Sequence, residues 1–296
     1  MLTTLWVMSI ASVVAMSAAL VGRHAVSEGA ARVELERGRW LALACERRAQ
    51  AAIDDALRDA TSLDEAALVW RTLSHRVLAS PVVAGCDVSL EAAGTRLDVN
   101  VASNEMIQRL LGALGLGDRA PEMADALDDW RDADDDPLPL GAERTWYESA
   151  GRPAPRNGPL ADIGELRRVR GFELVDSLDT VTTMEPGRVS LATASVPVLM
   201  AVPGITRETA EQIVALQVAG TPLSDLVAVT GSISEASAAA LAARYAEAAR
   251  ATTPDPDAWF IRVRTSRGVP AVSVRLEWRV IRTGSRCTVT GTRSIL

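Results

Sequence analysis

The residues with the clearest capacity for chemistry are carboxylates that crowd a short stretch between residues 128 and 143. Six of them are aspartates, and a glutamate follows after a turn broken by proline and glycine. Carboxylates held within a few Å of one another raise one another's pKa unless a cation neutralises them. Since oxygen ligands favour calcium over zinc, this stretch predicts a Ca²⁺ site. The acidic residues are Asp128, Asp129, Asp132, Asp134, Asp135, Asp136 and Glu143.

The spacing of four of these carboxylates resembles that of a twelve-residue calcium-binding loop. Asp132, Asp134 and Asp136 fall on loop positions 1, 3 and 5. Glu143 falls on position 12, where such a loop places its bidentate ligand. Position 6, usually a glycine, is Pro137, which cannot take a positive φ. The spacing is therefore EF-hand-like without being an EF-hand, and the alternative is a solvated acidic loop that caps the preceding helix.

Composition narrows the classes of function. No nucleophile, base and orienting residue can be named near the carboxylates, so catalysis is disfavoured. The net charge of -7 argues against a nucleic-acid partner that depends on phosphate contacts. We therefore expect no nucleic-acid partner. Only two histidines are present, which argues against a histidine-based metal site. The sequence favours a binding or structural protein that is not an enzyme.

Three cysteines, Cys45, Cys86 and Cys287, have no CxxC spacing, which argues against zinc and thioredoxin-like chemistry. Cys86 and Cys287 both fall in strand-like segments far apart in the sequence. An oxidising compartment would allow them to pair and leave Cys45 free. The connectivity is not decided by the sequence.

The N-terminal elements read as one long helix. Residues 2–22 carry no charge and have about the length of a membrane span, so we expect residues 1–22 to form a transmembrane anchor. A cleaved signal peptide is the alternative, but the apolar run is long for one. Residues 23–60 continue without proline, with apolar residues on one helical face. That face carries Leu35, Ala42, Ala49, Ile53 and Leu57.

The remaining pattern alternates between strands and helices. Ser62 and Glu65 form a capping-box pair that opens a helix. Residues 86–92 and 95–101 alternate as a hairpin, with Gly94 at the turn. Further strands are predicted over residues 259–264, 271–280 and 286–290. Because neither group of strands is enough to fold alone, we expect one discontinuous α/β domain (23–101 and 252–296) with an inserted helical domain (102–251).

An internal repeat begins just before the predicted insertion and continues within it. RLDVNVAS at 96–103 is echoed by RVSLATAS at 188–195, and PLADI at 159–163 by PLSDL at 222–226. The pattern predicts two related helical units. VPGITRETAEQIVAL at 202–216 is typical of a helix-hairpin-helix, a module often used to grip DNA backbone. Glu208 and Glu211 follow its Arg207 without a basic cluster, which favours structural packing over DNA binding.

These motifs resemble the K-type minor pseudopilins of the bacterial type II secretion system. The resemblance covers nearly the whole chain, from LWVMSIASVVA and RGRWLALACERRAQ through RLDVNVAS. Its most specific block is DWRDADDDPLPLGAERTWYESAGRPAPRNGPLADIGELRRVRGF. Most pseudopilins have a glutamate at the fifth mature position, whereas the K-type lacks it. Here no acidic residue occurs before Glu28, as expected of a subunit at a filament tip.

The resemblance implies an α+β pseudopilin fold, in which an N-terminal transmembrane helix packs on a small antiparallel sheet. A large all-α domain is inserted in it, here with two helix-hairpin-helix (SAM-like) units. It implies a non-enzymatic protein of the bacterial inner membrane, with a single N-terminal span and its body in the periplasm.

The implied function is to cap the pseudopilus tip together with the I-type and J-type minor pseudopilins, and so to support secretion of folded proteins across the outer membrane. Secreted cargo is a further candidate partner. The alternative function is that of a membrane-tethered helix-hairpin-helix DNA-binding protein of the competence type. The resemblance also implies bound calcium, with Asp129, Asp132, Asp134, Asp136 and Glu143 as candidate ligands.

Overall fold

The architecture begins with a single helix, α1 (Leu2–Arg58), of 57 residues. At 1.5 Å per residue it is about 85 Å long. The structure, a computed structural model, describes residues 2–73, 85–176, 178–268 and 272–294. The N-terminal part of α1 is exposed on every described side, whereas from Ala42 onward one face is buried. The predicted long helix is confirmed, and its apolar stripe marks where the rest of the fold packs.

A four-stranded antiparallel sheet covers that stripe. Its strands are β1 (Cys86–Ala92), β2 (Trp259–Arg267), β3 (Val272–Thr283) and β4 (Arg286–Ser294), in the order β1-β2-β3-β4. Successive side chains of a strand point to opposite faces. In β2 and β3 the side chains on one face of the sheet are apolar, and they are buried against α1. This set includes Trp259, Ile261, Val263, Trp278 and Val280.

The hairpin predicted for residues 86–101 is wrong. β1 pairs with β2, with Cys86 opposite Thr265, and the strand at Leu97–Asp98 pairs in parallel with Thr182–Thr183. Gly94 does turn the chain, at φ +80°, but it directs the chain into the helical part. A Cβ there would lie 1.8 Å from the carbonyl oxygen of Arg188, so only glycine fits. Alternation predicts a strand but not its partner.

Helix α2 (Leu63–Arg71) begins as its sequence predicts. The Ser62 hydroxyl accepts a hydrogen bond from the Glu65 backbone N–H at 3.1 Å. The returning bond of the capping box is displaced by one residue, because Glu65 Oε2 accepts from the N–H of Thr61 at 2.7 Å. Trp70 of this helix is fully buried against the sheet. The Val77 end of the predicted helix lies outside the described residues.

The helical part has its own apolar core, distinct from the core between α1 and the sheet. Leu97 and Val99 pack in it, although they precede residue 102. Among its largest fully buried side chains are Met123, Trp130 and Tyr147. Its helices are α3 (Asn104–Ala113), α4 (Ala120–Arg131), α5 (Arg144–Ser149), α6 (Leu178–Val181), α7 (Val196–Ala201), α8 (Arg207–Val218), α9 (Leu226–Thr230), α10 (Glu235–Ala243) and α11 (Tyr245–Ala251).

The internal repeat has a structural counterpart. Each copy begins with a two-residue strand, Leu97–Asp98 or Val189–Ser190, and each strand leads towards a helix, α3 or α7. Each unit closes when a Thr-Thr strand pairs in parallel with the first, at Thr182–Thr183 and at Thr252–Thr253. The first threonine of both pairs also donates its hydroxyl to the carbonyl four residues earlier, at 2.6 and 2.7 Å. The two units therefore share the same arrangement of a short first strand and a parallel Thr-Thr strand that closes the unit.

Two chain crossings join the helical part to the sheet. The two connecting segments lie side by side, because the Ala93 N–H of the first donates to the Ala258 carbonyl of the second at 2.8 Å. Arg188 holds the carboxylate of Asp257 with its guanidinium and its backbone N–H. The indole of Trp70 donates to the Pro256 carbonyl at 2.7 Å. These contacts hold the two parts together at their connection.

The disulfide joins Cys45 of α1 to Cys86 of β1, and Cys287 is a free, buried thiol. The pairing of Cys86 with Cys287 that the sequence left open is therefore excluded. These residues lie on β1 and β4, at opposite edges of the sheet. Three strand spacings of about 4.8 Å separate them, which exceeds the roughly 7 Å that a disulfide can bridge between Cα atoms.

Candidate metal centre

Helix α4 positions the first carboxylate of the candidate site. It buries Met123, Leu127 and Trp130 at helical spacing, and Asp129 lies beside Trp130 on the same buried side. The helix ends at Arg131, and Asp132 is its C-cap. The loop that follows returns to Glu143, the N-cap of α5. Two helix ends and the loop between them therefore bring the acidic residues together.

Three carboxylates converge at this point. Asp129, Asp132 and Glu143 each offer an oxygen, and these oxygens all lie within 4.8 Å of one another. Asp129 is fully buried and Glu143 is 2% exposed. Both oxygens of Glu143 and Oδ1 of Asp132 are buried without a hydrogen-bond partner in the described chain. An unsatisfied buried charge is costly, and a cation among these oxygens would offset that cost.

The electrostatics of the three groups agree with that geometry. Burial first, and then the charges of Asp129 and Asp132, raise the pKa of Glu143 to about 7. Burial likewise raises the pKa values of Asp129 and Asp132, with backbone N–H donors opposing the increase. The ionised forms of all three are therefore disfavoured by the protein alone.

Asp129 also folds the loop. It accepts the Leu138 N–H on both carboxylate oxygens, at 3.1 and 3.3 Å. Gly141 lies so close that a Cβ there would come within 1.9 Å of Asp129 Oδ2. The loop therefore needs glycine at residue 141, because any side chain would displace the carboxylate.

Asp134 and Asp136 lie outside the converging group. Both are exposed, and Asp134 Oδ1 accepts the Asp136 N–H at 3.0 Å, which closes a turn. Pro137 follows this turn where a calcium-binding loop would have a glycine of positive φ. Of the five predicted ligands, the structure thus brings together Asp129, Asp132 and Glu143. The full five-residue set remains a prediction.

Asn157 is a contact of this loop that the sequence reasoning missed. Its side-chain amide donates to the Asp134 carbonyl at 2.6 Å and to Asp135 Oδ1 at 3.0 Å. Its backbone takes φ 51°, which asparagine tolerates better than most residues. The available signal was the Asn-Gly pair in a proline-rich irregular segment, which predicts a turn but not its contacts.

The residues present fit a hard divalent cation. Calcium takes six to eight oxygen ligands and accepts a flexible geometry. Asp129, Asp132 and Glu143 would hold the ion, and Asp132 and Glu143 supply oxygens that no described donor satisfies. Histidine and thiolate ligands are absent from the group, which disfavours zinc.

Helix α1 provides the other functional feature. Over residues 6–58 it is long and apolar enough to cross a membrane, by length and composition. Its apolar window has a mean hydropathy of 1.5, and none of that window is buried. These properties are compatible with a single-span membrane anchor near the N-terminus.

The turn of the predicted helix-hairpin-helix lies between α7 and α8. Gly204 takes φ +84° there, and a Cβ on it would meet the Arg244 side chain at 2.9 Å. The Arg244 guanidinium bonds to Glu105 at 2.9 Å and to Glu247. The turn therefore packs inside the helical part beside an arginine that is already paired.

The fold combines a long N-terminal helix, a small antiparallel sheet that packs on it, and a helical part that lies between β1 and β2 in the chain. Residues 88–186 match the family model described as Type II secretion system (T2SS), protein K. That span contains Asp129, Asp132 and Glu143. The K-type resemblance inferred from the sequence is therefore confirmed by the match to these residues.

A solved structure gives the same assignment for the fold. It is the crystal structure of the GspK-GspI-GspJ complex from the enterotoxigenic Escherichia coli Type 2 Secretion System. The match has a TM-score of 0.60 at 18% sequence identity, and covers 90% of this chain and 98% of that chain. No curated protein matches the chain.

Proposed function

We propose that this chain is a minor pseudopilin that caps the tip of the type II secretion pseudopilus together with the I-type and J-type minor pseudopilins. The observation that carries the proposal is the protein K match over residues 88–186, joined to a fold similar to a chain crystallised with GspI and GspJ. In this role the chain is a non-enzymatic part of the machinery that secretes folded proteins across the outer membrane.

The two parts of the fold suggest how capping would work. The exposed apolar half of α1 would anchor the chain in the inner membrane and then enter the filament core. The helical part, which spans more residues than the sheet, would block addition of a subunit above it. The Cys45–Cys86 disulfide supports a periplasmic location, because such bonds persist in oxidising compartments.

Calcium binding at the acidic loop is part of the proposal. When bound, the ion supplies positive charge that neutralises the three carboxylates. Asp129 accepts the Leu138 N–H and so holds the loop on α4, while Glu143 is the residue that directly precedes α5. The loop would then present one defined surface to the neighbouring subunits.

Co-purification tests the proposal. The chain from about residue 23 onward would be expressed with the I-type and J-type proteins of the same organism, in calcium and in chelator. We expect a stable complex in calcium that weakens in chelator. No complex in either condition would contradict the capping role and leave a shared fold. A salt-sensitive gel shift with duplex DNA would then favour the competence-type alternative.

A further inference from the structure

Arg170 lies behind the acidic cluster and contacts every chain segment that forms it. Its guanidinium bonds Glu122 of α4 at 2.5 Å and donates to the Gly141 carbonyl at 3.1 Å. The same group lies over the ring of Trp146 in α5, 4.9 Å from the ring centroid. One side chain therefore connects α4, the loop and α5.

Each of these contacts lies on a segment that carries or adjoins a converging carboxylate. Glu122 lies in the first turn of the helix that carries Asp129, and Gly141 packs directly against Asp129. Trp146 lies in the first turn after Glu143. The backbone of Arg170 adds a fourth contact, because its N–H donates to the hydroxyl of Tyr147 at 3.0 Å.

The aromatic residues make this arrangement stiff. Tyr147 is fully buried and meets Trp130 edge to face at 5.1 Å, and Trp146 at 4.9 Å. Trp130 lies in the same helix as Asp129, and Tyr147 lies in the helix that follows Glu143. Only arginine can bond a carboxylate and a carbonyl and stack on an indole at the same time, because its donors form a planar fork.

We propose that Arg170 is a positioning residue for the cation site, which holds α4, the loop and α5 at the separation where Asp129, Asp132 and Glu143 meet. The inference rests on the proposed calcium binding. Three like charges repel one another, so without a clamp the loop would relax outward when no ion is bound. Holding the ligands in place beforehand lowers the ordering cost of binding and so raises affinity.

Arg152 provides a matched control. Its guanidinium also lies over Trp146 and Tyr147, 5.8 Å from each ring centroid. It pairs with Glu173 at 3.3 Å and donates to the Arg168 carbonyl. Its described contacts include neither α4 nor Gly141, so it shares the stacking of Arg170 without the clamp.

The experiment compares Arg170→Met with Arg152→Met in the full-length chain, solubilised in detergent. Calcium is titrated calorimetrically after dialysis against chelator, and melting is followed in both conditions. We expect Arg170→Met to raise the calcium Kd about tenfold or more and to reduce the melting shift that calcium produces. Arg152→Met should leave the Kd within about twofold. Arg170→Lys, which keeps the charge but loses the fork, should fall between the unmodified chain and Arg170→Met.

A structural role alone would lower the melting temperature of Arg170→Met equally in calcium and in chelator, with an unchanged Kd. That result, or an equal loss of affinity in Arg152→Met, would overturn the proposal. If Arg170→Met does not fold, Glu122→Gln removes one arm of the clamp and should raise the Kd about threefold; an unchanged Kd would overturn the proposal. If the unmodified chain shows no calcium binding, the calcium function itself fails, and the clamp with it.

Discussion

Both parts of the molecule bury carboxylates, but they neutralise them in different ways. In the sheet, Arg262 bonds Glu277 at 2.5 Å and also bonds Glu91, so an internal guanidinium serves both acids. Glu277 is 3% exposed, about as buried as Glu143 in the acidic loop. Yet both oxygens of Glu143 have no hydrogen-bond partner in the described chain.

The difference follows from how each site is built. β2 and β3 pair in a register that places Arg262 directly opposite Glu277, so the sheet provides its own cation wherever it folds. The acidic loop is formed by two helix ends, and both flanking arginines are engaged away from the converging carboxylates. Arg131 bonds Asp128 and the carbonyls of Val99 and Ala102, and Arg144 pairs with the exposed Asp135. The sheet should therefore be stable without added ions, whereas the loop should depend on one.

Calcium removal should produce the largest effect and separate the two regions. A ligand at a thousand times its Kd stabilises the folded state by about 4 kcal/mol. We expect chelator to lower the melting temperature of the unmodified chain and to loosen the helical part first, as seen by hydrogen exchange.

The double variant Asp132→Asn/Glu143→Gln sharpens this test. It removes two buried charges, so it should be less stable than the unmodified chain in calcium and more stable in chelator. Asp87→Asn, which breaks an exposed pair with Arg264, is the control and should behave like the unmodified chain in both conditions. Equal melting of the unmodified chain with and without chelator would contradict the dependence of the loop on calcium.

Loss of the disulfide should destabilise the other region. Cys45→Ser/Cys86→Ser opens a link across 41 residues between α1 and β1, at a cost of about 3 kcal/mol. The loss should be the same in calcium and in chelator, because Cys45 packs in the core between α1 and the sheet, whereas the acidic loop adjoins the core of the helical part. Chemical denaturation in both conditions measures it. A loss that appears only in chelator would show that the two regions are coupled.

Removal of the internal cation should cost less. Arg262→Met takes one ion-pair partner from the buried Glu277, and we expect a loss of about 2 kcal/mol, since Arg262 is partly exposed. Calcium should not restore the lost stability. The double variant with Glu277→Gln also removes the buried charge and should recover part of the loss. If calcium rescued Arg262→Met, the sheet would not be independent of the ion.

The comparison also shows what the sequence could predict. Helix α1, the Ser62 cap and the alternation of β2 and β3 follow from local patterns, and all were found. The partner of β1, and the pairing of Cys45 rather than Cys287 with Cys86, depend on strand order, which periodicity does not contain. These contacts join residues that are far apart in the sequence.

At the candidate metal centre, sequence patterns were limited in a similar way. Acidic composition indicated a cation, and Asp132 and Glu143 came from the spacing of a calcium-binding loop. The spacing also selected Asp134 and Asp136, because it assumes a loop that Pro137 does not allow. Asp129 came from the family resemblance, since a buried aspartate inside a helix has no signature of its own. Arg170 was missed because it reaches the site from a segment about thirty residues downstream.

A pH dependence found only without calcium is the smallest expected effect. Glu143 has a folded-state pKa of about 7 against an ordinary value of 4.5, so between these pH values the folded chain binds more protons than the unfolded one. Stability in chelator should therefore fall as pH rises from about 4.5 to 7, and level off above it. Burial of Asp129 and Asp132 acts in the same direction. In calcium the carboxylates are held ionised, so the gap between melting temperatures in calcium and in chelator should widen from pH 5 to pH 8.

Glu143→Gln should flatten the chelator curve, whereas Arg262→Met should shift it without changing its slope. A slope that survives Glu143→Gln would place the titrating group outside the acidic loop.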